Sequence, residues 1–145
     1  MKKISISLVL IMVLTLLCNC GSKGGCNTAE DAALTFVQAV VENDPELFKT
    51  CVYPSMLDEW ISSFHINGNT QAKIKEISVI TSYEMSPSED ALQEFQEEFS
   101  YSAKRGMVVN VHAIIYDYHR EEERIKSFET GVVYIDGRWY ATGWS

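Results

Sequence analysis

The chain has 145 residues, 46% of them hydrophobic, with 12 basic against 20 acidic side chains and a formal charge of −8. That balance argues against a nucleic-acid partner, since phosphate binding rests on Lys and Arg neutralising the backbone, and it disfavours adsorption to an anionic lipid surface. The length and the apolar share suit a single domain with one core, and no internal repeat is present.

Lys2 and Lys3 open the chain, and Ile4 to Leu17 follow as an apolar run broken only by Ser5, Ser7 and Thr15. These are the n-region and h-region of a secretory signal, and the run falls short of the roughly 20 apolar residues that a membrane span needs. Hydrophobicity then collapses in Cys18-Asn19-Cys20-Gly21-Ser22-Lys23-Gly24-Gly25. The stretch Leu17-Cys18-Asn19-Cys20 resembles the lipobox of bacterial lipoproteins, in which a Leu stands three residues before a Cys that is diacylated through its thiol and becomes the mature N-terminus. The resemblance implies lipidation at Cys20, with Cys18 as the alternative; Asn19 stands where such sequences usually carry Gly, Ala or Ser.

The expected organisation is a signal peptide over 1–19, a flexible tether over 20–27 and a folded domain over 28–145. The expected location is the outer side of the cytoplasmic membrane, held by lipid, and ordinary cleavage with release is the alternative. Removing residues 1–19 takes away Lys2 and Lys3 and no acid, leaving ten basic against twenty acidic side chains, a charge of −10. The acyl chains would therefore have to do the anchoring. Cys26 and Cys51 remain, and export permits oxidation; a disulfide between them and two unpaired thiols are both open readings.

Thr28, three residues before Asp31, reads as a helix cap. Ala33, Phe36, Val37, Val40 and Val41 then recur at helical spacing until Asn43. Asp44-Pro45 starts a short second helix to about Val52, and Pro54 stops it. A third helix, Met56 to Phe64, carries Leu57, Trp60, Ile61 and Phe64 on one face, and Asn67-Gly68-Asn69 is a turn. From Lys73 the period becomes two, predicting a strand to Glu84 with Ile74, Glu76, Ser78 and Ile80 on one side and Ile77 and Val79 on the other. Ser86-Pro87-Ser88-Glu89-Asp90 caps a fourth helix over 88–104, with Leu92, Phe95, Phe99 and Ala103 inward. Strands follow over Met107–Tyr118, Ile125–Ile135 and Arg138–Trp144, the last two joined by the two-residue hairpin signal Asp136-Gly137. Helices first, then an antiparallel meander, give an α+β fold.

The segments TAEDAALTFVQAVVENDPELF and GVVYIDGRWYATGW resemble the first helices and the final hairpin of the NTF2-like family, also called cystatin-like or ketosteroid-isomerase-like. The resemblance spans most of 28–145. It implies N-terminal helices packed on a curved antiparallel sheet of about four strands, forming a cone with an apolar pocket, and a homodimer through the open sheet face. Isomerases and dehydratases of that family use an Asp or His base and a Tyr or acid inside the cone.

The residues here that offer such chemistry are Asp58, His65, His112, Tyr116, Asp117 and Tyr134, and the candidate pocket is Trp60, His112, Tyr116, Tyr134 and Trp139. Alternation sets Val109, Val111, Ala113 and Ile115 on the core face and His112 and Tyr116 on the other, an assignment that a one-residue slip would exchange. In the last strand it pairs Trp139 with Ala141 and Gly143, and Tyr140 with Thr142 and Trp144. His65 ends a helix and has no adjacent partner. The mixed charges of His119 to Arg124 read as a solvated connection. No Cys/His spacing matches a zinc site, and no phosphate loop, GxSxG elbow or HExxH is present. The expectation is a non-enzymatic, membrane-tethered domain without metal or cofactor that binds a small apolar ligand or a partner protein. The alternatives are an isomerase, dehydratase or hydrolase using His112 or an Asp, and a structural envelope lipoprotein.

Overall fold

The computed structural model describes residues 24–85, 93, 97, 103 and 105–144. The expected signal peptide and the first part of the tether lie outside the described residues. So does the expected fourth helix over 88–104, except for Gln93 and Glu97, which are helical and exposed, and Ala103, which is buried.

Helix α1 (Ala29–Glu42) begins where the Asp31 N–H donates to Thr28 Oγ1 at 3.1 Å, and Glu30 and Asp31 set negative charge on its positive dipole end. It stops at Asn43, whose left-handed backbone (φ 57°) turns its N–H back onto the carbonyls of Ala39 and Val40. Ala29, Ala32, Ala33, Phe36, Val37 and Ala39 form its buried face. Four alanines there let the helix lie close to the sheet, and α1 packs against every strand. Asn43 also grips the next turn: its Oδ1 accepts from the Asn67 N–H at 2.7 Å and its Nδ2 donates to Asn67 Oδ1 and the Asn69 carbonyl.

Helix α2 (Pro45–Cys51) starts on Asp44, whose Oδ1 accepts from the N–H groups of Glu46 and Leu47 at 3.0 Å each. A 3₁₀ turn at Pro54–Met56 leads into α3 (Leu57–Ser63). His65 then takes a left-handed conformation (φ 55°) and donates its N–H to the Ser62 carbonyl, so this exposed histidine serves the helix end.

Among the described residues four strands complete the α+β fold: β1 (Ala72–Glu84), β2 (Arg105–Asp117), β3 (Glu122–Ile135) and β4 (Arg138–Trp144). They pair antiparallel in the order β1-β2-β3-β4, each strand beside its neighbour in the sequence. Asp136 (φ 50°) and Gly137 (φ 84°) make the tight β3–β4 turn, both in the left-handed region that a two-residue hairpin requires. One sheet face holds the main core: Val109, Val111 and Val132 meet Ala33, Phe36, Val37 and Phe48 of the helices. A smaller cluster of Met85, Ala103, Val133, Ile135 and Tyr140 forms on the opposite face near the β4 edge, with Tyr53 stacked edge-on against Tyr140 at 5.0 Å. The outer edge of β4 is covered by bridges from Cys26 to Trp139 and from Val52 to Ala141, which removes it as a template for another strand.

Three expectations are corrected. Strict alternation along β1 fails at a bulge between Ile74 and Glu76, so Ile74 and Ile77 both turn toward the helices, and a second irregularity leaves Ile80 57% exposed. In β4, Gly131 pairs with Gly143 while Val132 pairs with Ala141, so Thr142 is an extra residue and Trp144 changes face. It joins Phe36, Phe64 and Phe128 in the core rather than Tyr140. Finally, no Cys26–Cys51 bridge forms. Cys51 is a free thiol, fully buried on α2 with its Sγ donating to the Phe48 carbonyl, and burial pushes its pKa far up.

Thr130 is fully buried under α1 with its Oγ1 lacking a hydrogen-bond partner among the described residues. Valine has the same shape without the stranded hydroxyl. Thr130→Val is expected to stabilise the domain by about 1 kcal/mol, read as a higher urea midpoint at unchanged slope; a lower midpoint would show that the hydroxyl is bonded in solution.

Candidate functional site

Strand and helix lengths create the groove that is the best candidate. The 14 residues of α1 cover about 21 Å of sheet, whereas the 13 and 14 residues of β2 and β3 run for about 43 Å or more. The end of the sheet that carries the β2–β3 connection therefore outruns the helix. Beneath the C-terminal turn of α1 this leaves a cavity of about 250 Å³, lined by Val40, Val41, Ala72, Ile115, Asp117, Arg124, Lys126, Phe128 and Trp144.

Its floor is aromatic. Phe128 and Trp144 stack at 4.6 Å with a 21° tilt, and Trp144 is braced edge-on by Phe36 and Phe64. Its rim is charged. Strand register places Phe128 opposite Val111, Lys126 opposite Ala113 and Arg124 opposite Ile115, so all three share the face that meets the helices. Arg124 Nε donates to Glu122 Oε1 at 2.9 Å. Asp117 Oδ1 accepts from the N–H groups of His119 and Arg120 and so shapes the turn. Lys126 forms no ion pair or side-chain hydrogen bond among the described residues.

The residues expected to line a pocket are not gathered there. His112 pairs with Ser78 and Ser127 on the sheet face turned away from the helices, between buried Val111 and Ala113, as alternation predicts. Tyr116 shares that outer face, with Lys75 Nζ 5.7 Å from its ring centroid and Tyr118 at 5.5 Å. Tyr134 and Trp139 face inward, but at the opposite end of the sheet, 5.2 Å apart with the Arg105 guanidinium over Trp139 and bonded to Glu84. Trp60 packs on Phe36 and borders a narrow apolar slot beside β4 with Val52, Tyr53, Met56 and Tyr140. Asp58 is exposed in the first turn of α3. Among the described residues, no three His, Cys, Asp or Glu side chains converge as metal ligands.

Sequence reasoning missed Val40, Val41, Arg124, Lys126 and Phe128 as a group. The available signal was the alternation Arg124, Lys126, Phe128, Thr130, which sets two cations on the face that ends in the core.

No protein-family model matches this chain, and neither does any curated protein. Among solved structures, the crystal structure of the intermembrane space region of chloroplast protein ARC6 aligns over 79% of this chain and 87% of that chain, at 12% identity and a TM-score of 0.38. At that score the likeness supports no conclusion about this chain.

Proposed function

We propose that the protein is an extracytoplasmic lipoprotein whose NTF2-like domain binds a small apolar ligand in the groove under α1. The groove carries this reading: an aromatic floor of Phe128 and Trp144, aliphatic walls of Val40, Val41 and Ile115, and a polar rim are the make-up of small-molecule sites. The lipobox-like Leu17-Cys18-Asn19-Cys20 supports the tether. Helices laid across one face of a four-stranded antiparallel meander are what the NTF2-like reading needs. His112 lies on the far face, so a chemistry confined to the groove would have to do without it.

The anchor is tested by metabolic labelling with an alkyne fatty acid. Cys20→Ala is expected to abolish labelling and to leave unprocessed or released protein, whereas unchanged labelling would move the site to Cys18. The groove is tested by native mass spectrometry and solvent extraction of protein purified from its own membranes; no retained small molecule, together with no binding in the titrations described next, would overturn the ligand reading.

A further inference from the structure

We infer that the groove takes a single-chain amphiphile with an anionic head, such as a short alkyl carboxylate, delivered from the aqueous side and held at its head by Lys126. The inference rests on the ligand-binding reading above and adds the class of ligand.

Its first support is the charge at the groove mouth. Phe128, Val132 and Tyr134 pack on the core and fix the register of β3, which leaves Ile125 69% exposed on the outer face and sets Arg124 and Lys126 on the groove side. The groove lining therefore carries two cations against one carboxylate, Asp117, in a chain whose net charge is −8.

The charges around the groove then single out one residue. Glu122 engages Arg124, and the Asp117 carboxylate is used by the hairpin backbone. Lys126, partnerless among the described residues, stands two residues from the Phe128 floor on the same face. A head group on Lys126 would run its tail over Phe128 and Trp144 toward Val40 and Val41. At about 250 Å³ the cavity is smaller than the roughly 300 Å³ at which drug-sized ligand sites begin, and suits one short chain rather than a fused-ring body.

The position of the tether decides the source. Residues 24–26 dock at the start of β4, where Gly25 and Cys26 contact Thr50, Arg138 and Trp139. The groove opens at the other end of the sheet, by the β2–β3 connection. With the anchor proposed above, the chain enters the domain at the end of the sheet opposite the groove, which favours entry of the ligand from the aqueous side.

The test uses the processed full-length protein in phosphatidylcholine nanodiscs, or the released form if the chain is not anchored. It is titrated calorimetrically with octanoate, 1-octanol and octyltrimethylammonium, with empty nanodiscs as the blank. Octanoate is expected to bind at least tenfold more tightly than the other two. Lys126→Glu should weaken octanoate about tenfold and leave octanol unchanged, with an unaltered circular dichroism melt because Lys126 is exposed. Equal binding of all three probes would overturn the anionic-head inference and leave the apolar groove standing. Octanoate binding unaffected by Lys126→Glu would also overturn it. No binding of any probe at millimolar concentration would overturn both.

Discussion

Replacing Phe36 with alanine is expected to cost about 4 kcal/mol, a large share of the roughly 5–15 kcal/mol that holds a domain together. Phe36 is fully buried at the middle of α1, and its ring is the hub through which the helices meet the sheet. Phe64 lies at 5.3 Å, Phe48 and Trp144 at 5.7 Å each, and Trp60 at 6.3 Å. These partners come from α2, α3, the residue that ends α3, and β4, so deletion leaves a cavity that no single element can close by shifting. Phe128, also aromatic but half-buried at the groove floor, is the comparison. Its loss should cost roughly 1–2 kcal/mol, because part of its surface already meets solvent. Urea unfolding followed by far-ultraviolet circular dichroism measures both. A loss below about 1 kcal/mol for Phe36→Ala would show that the helical layer is held by something other than this aromatic cluster.

What was legible in the sequence is what local chemistry decides. Thr28, Asp44 and Asp136-Gly137 act on N–H groups or turns within three residues of themselves, and each does in the structure what its position predicts. The faces of β2 were legible too, because that strand runs in unbroken register from Arg105 to Asp117 against β3. The failures sit where pairing between strands overrides alternation. The bulge at Ile74/Glu76 and the extra residue Thr142 each shift a strand by one position; no glycine marks the first, whereas Gly143 beside Thr142 was the available signal for the second. The groove was illegible for a related reason. Ile125 is the residue that hydrophobicity would send inward, yet pairing opposite Ile114 leaves it on the outer face and puts the exposed Lys126, opposite Ala113, on the groove side. The grip of Asn43 on Asn67 and Asn69 spans more than twenty residues and needed the third dimension.

Two neighbouring glycines provide the second large effect with its own control. Gly24 and Gly25 share the same positive φ of 76°, so an alanine at either incurs the same left-handed backbone penalty, about 1–2 kcal/mol. Their surroundings differ. A methyl group on Gly24 would meet only Pro54 Cγ at 3.9 Å, an ordinary contact. On Gly25 it would lie 2.7 Å from Arg138 Cβ and 2.8 Å from the Tyr140 ring, separations that real side chains do not tolerate. The segment cannot slide away freely, because the Gly25 N–H donates to the Thr50 carbonyl at 2.8 Å, the Gly25 carbonyl accepts from Arg138 Nη2 at 2.8 Å, and Cys26 exchanges two backbone hydrogen bonds with Trp139. Gly25→Ala must therefore either compress Arg138 and Tyr140 or undock 24–27 from the β4 edge. Crowding of this kind adds about 1–3 kcal/mol, so Gly25→Ala is expected to cost about 2–5 kcal/mol against about 1–2 for Gly24→Ala. Because undocking would open the β4 edge, hydrogen exchange at Trp139 should quicken in Gly25→Ala alone. Equal losses in the two variants would mean that residues 24–27 are not seated on β4 and that the chain need not enter the domain at the end opposite the groove.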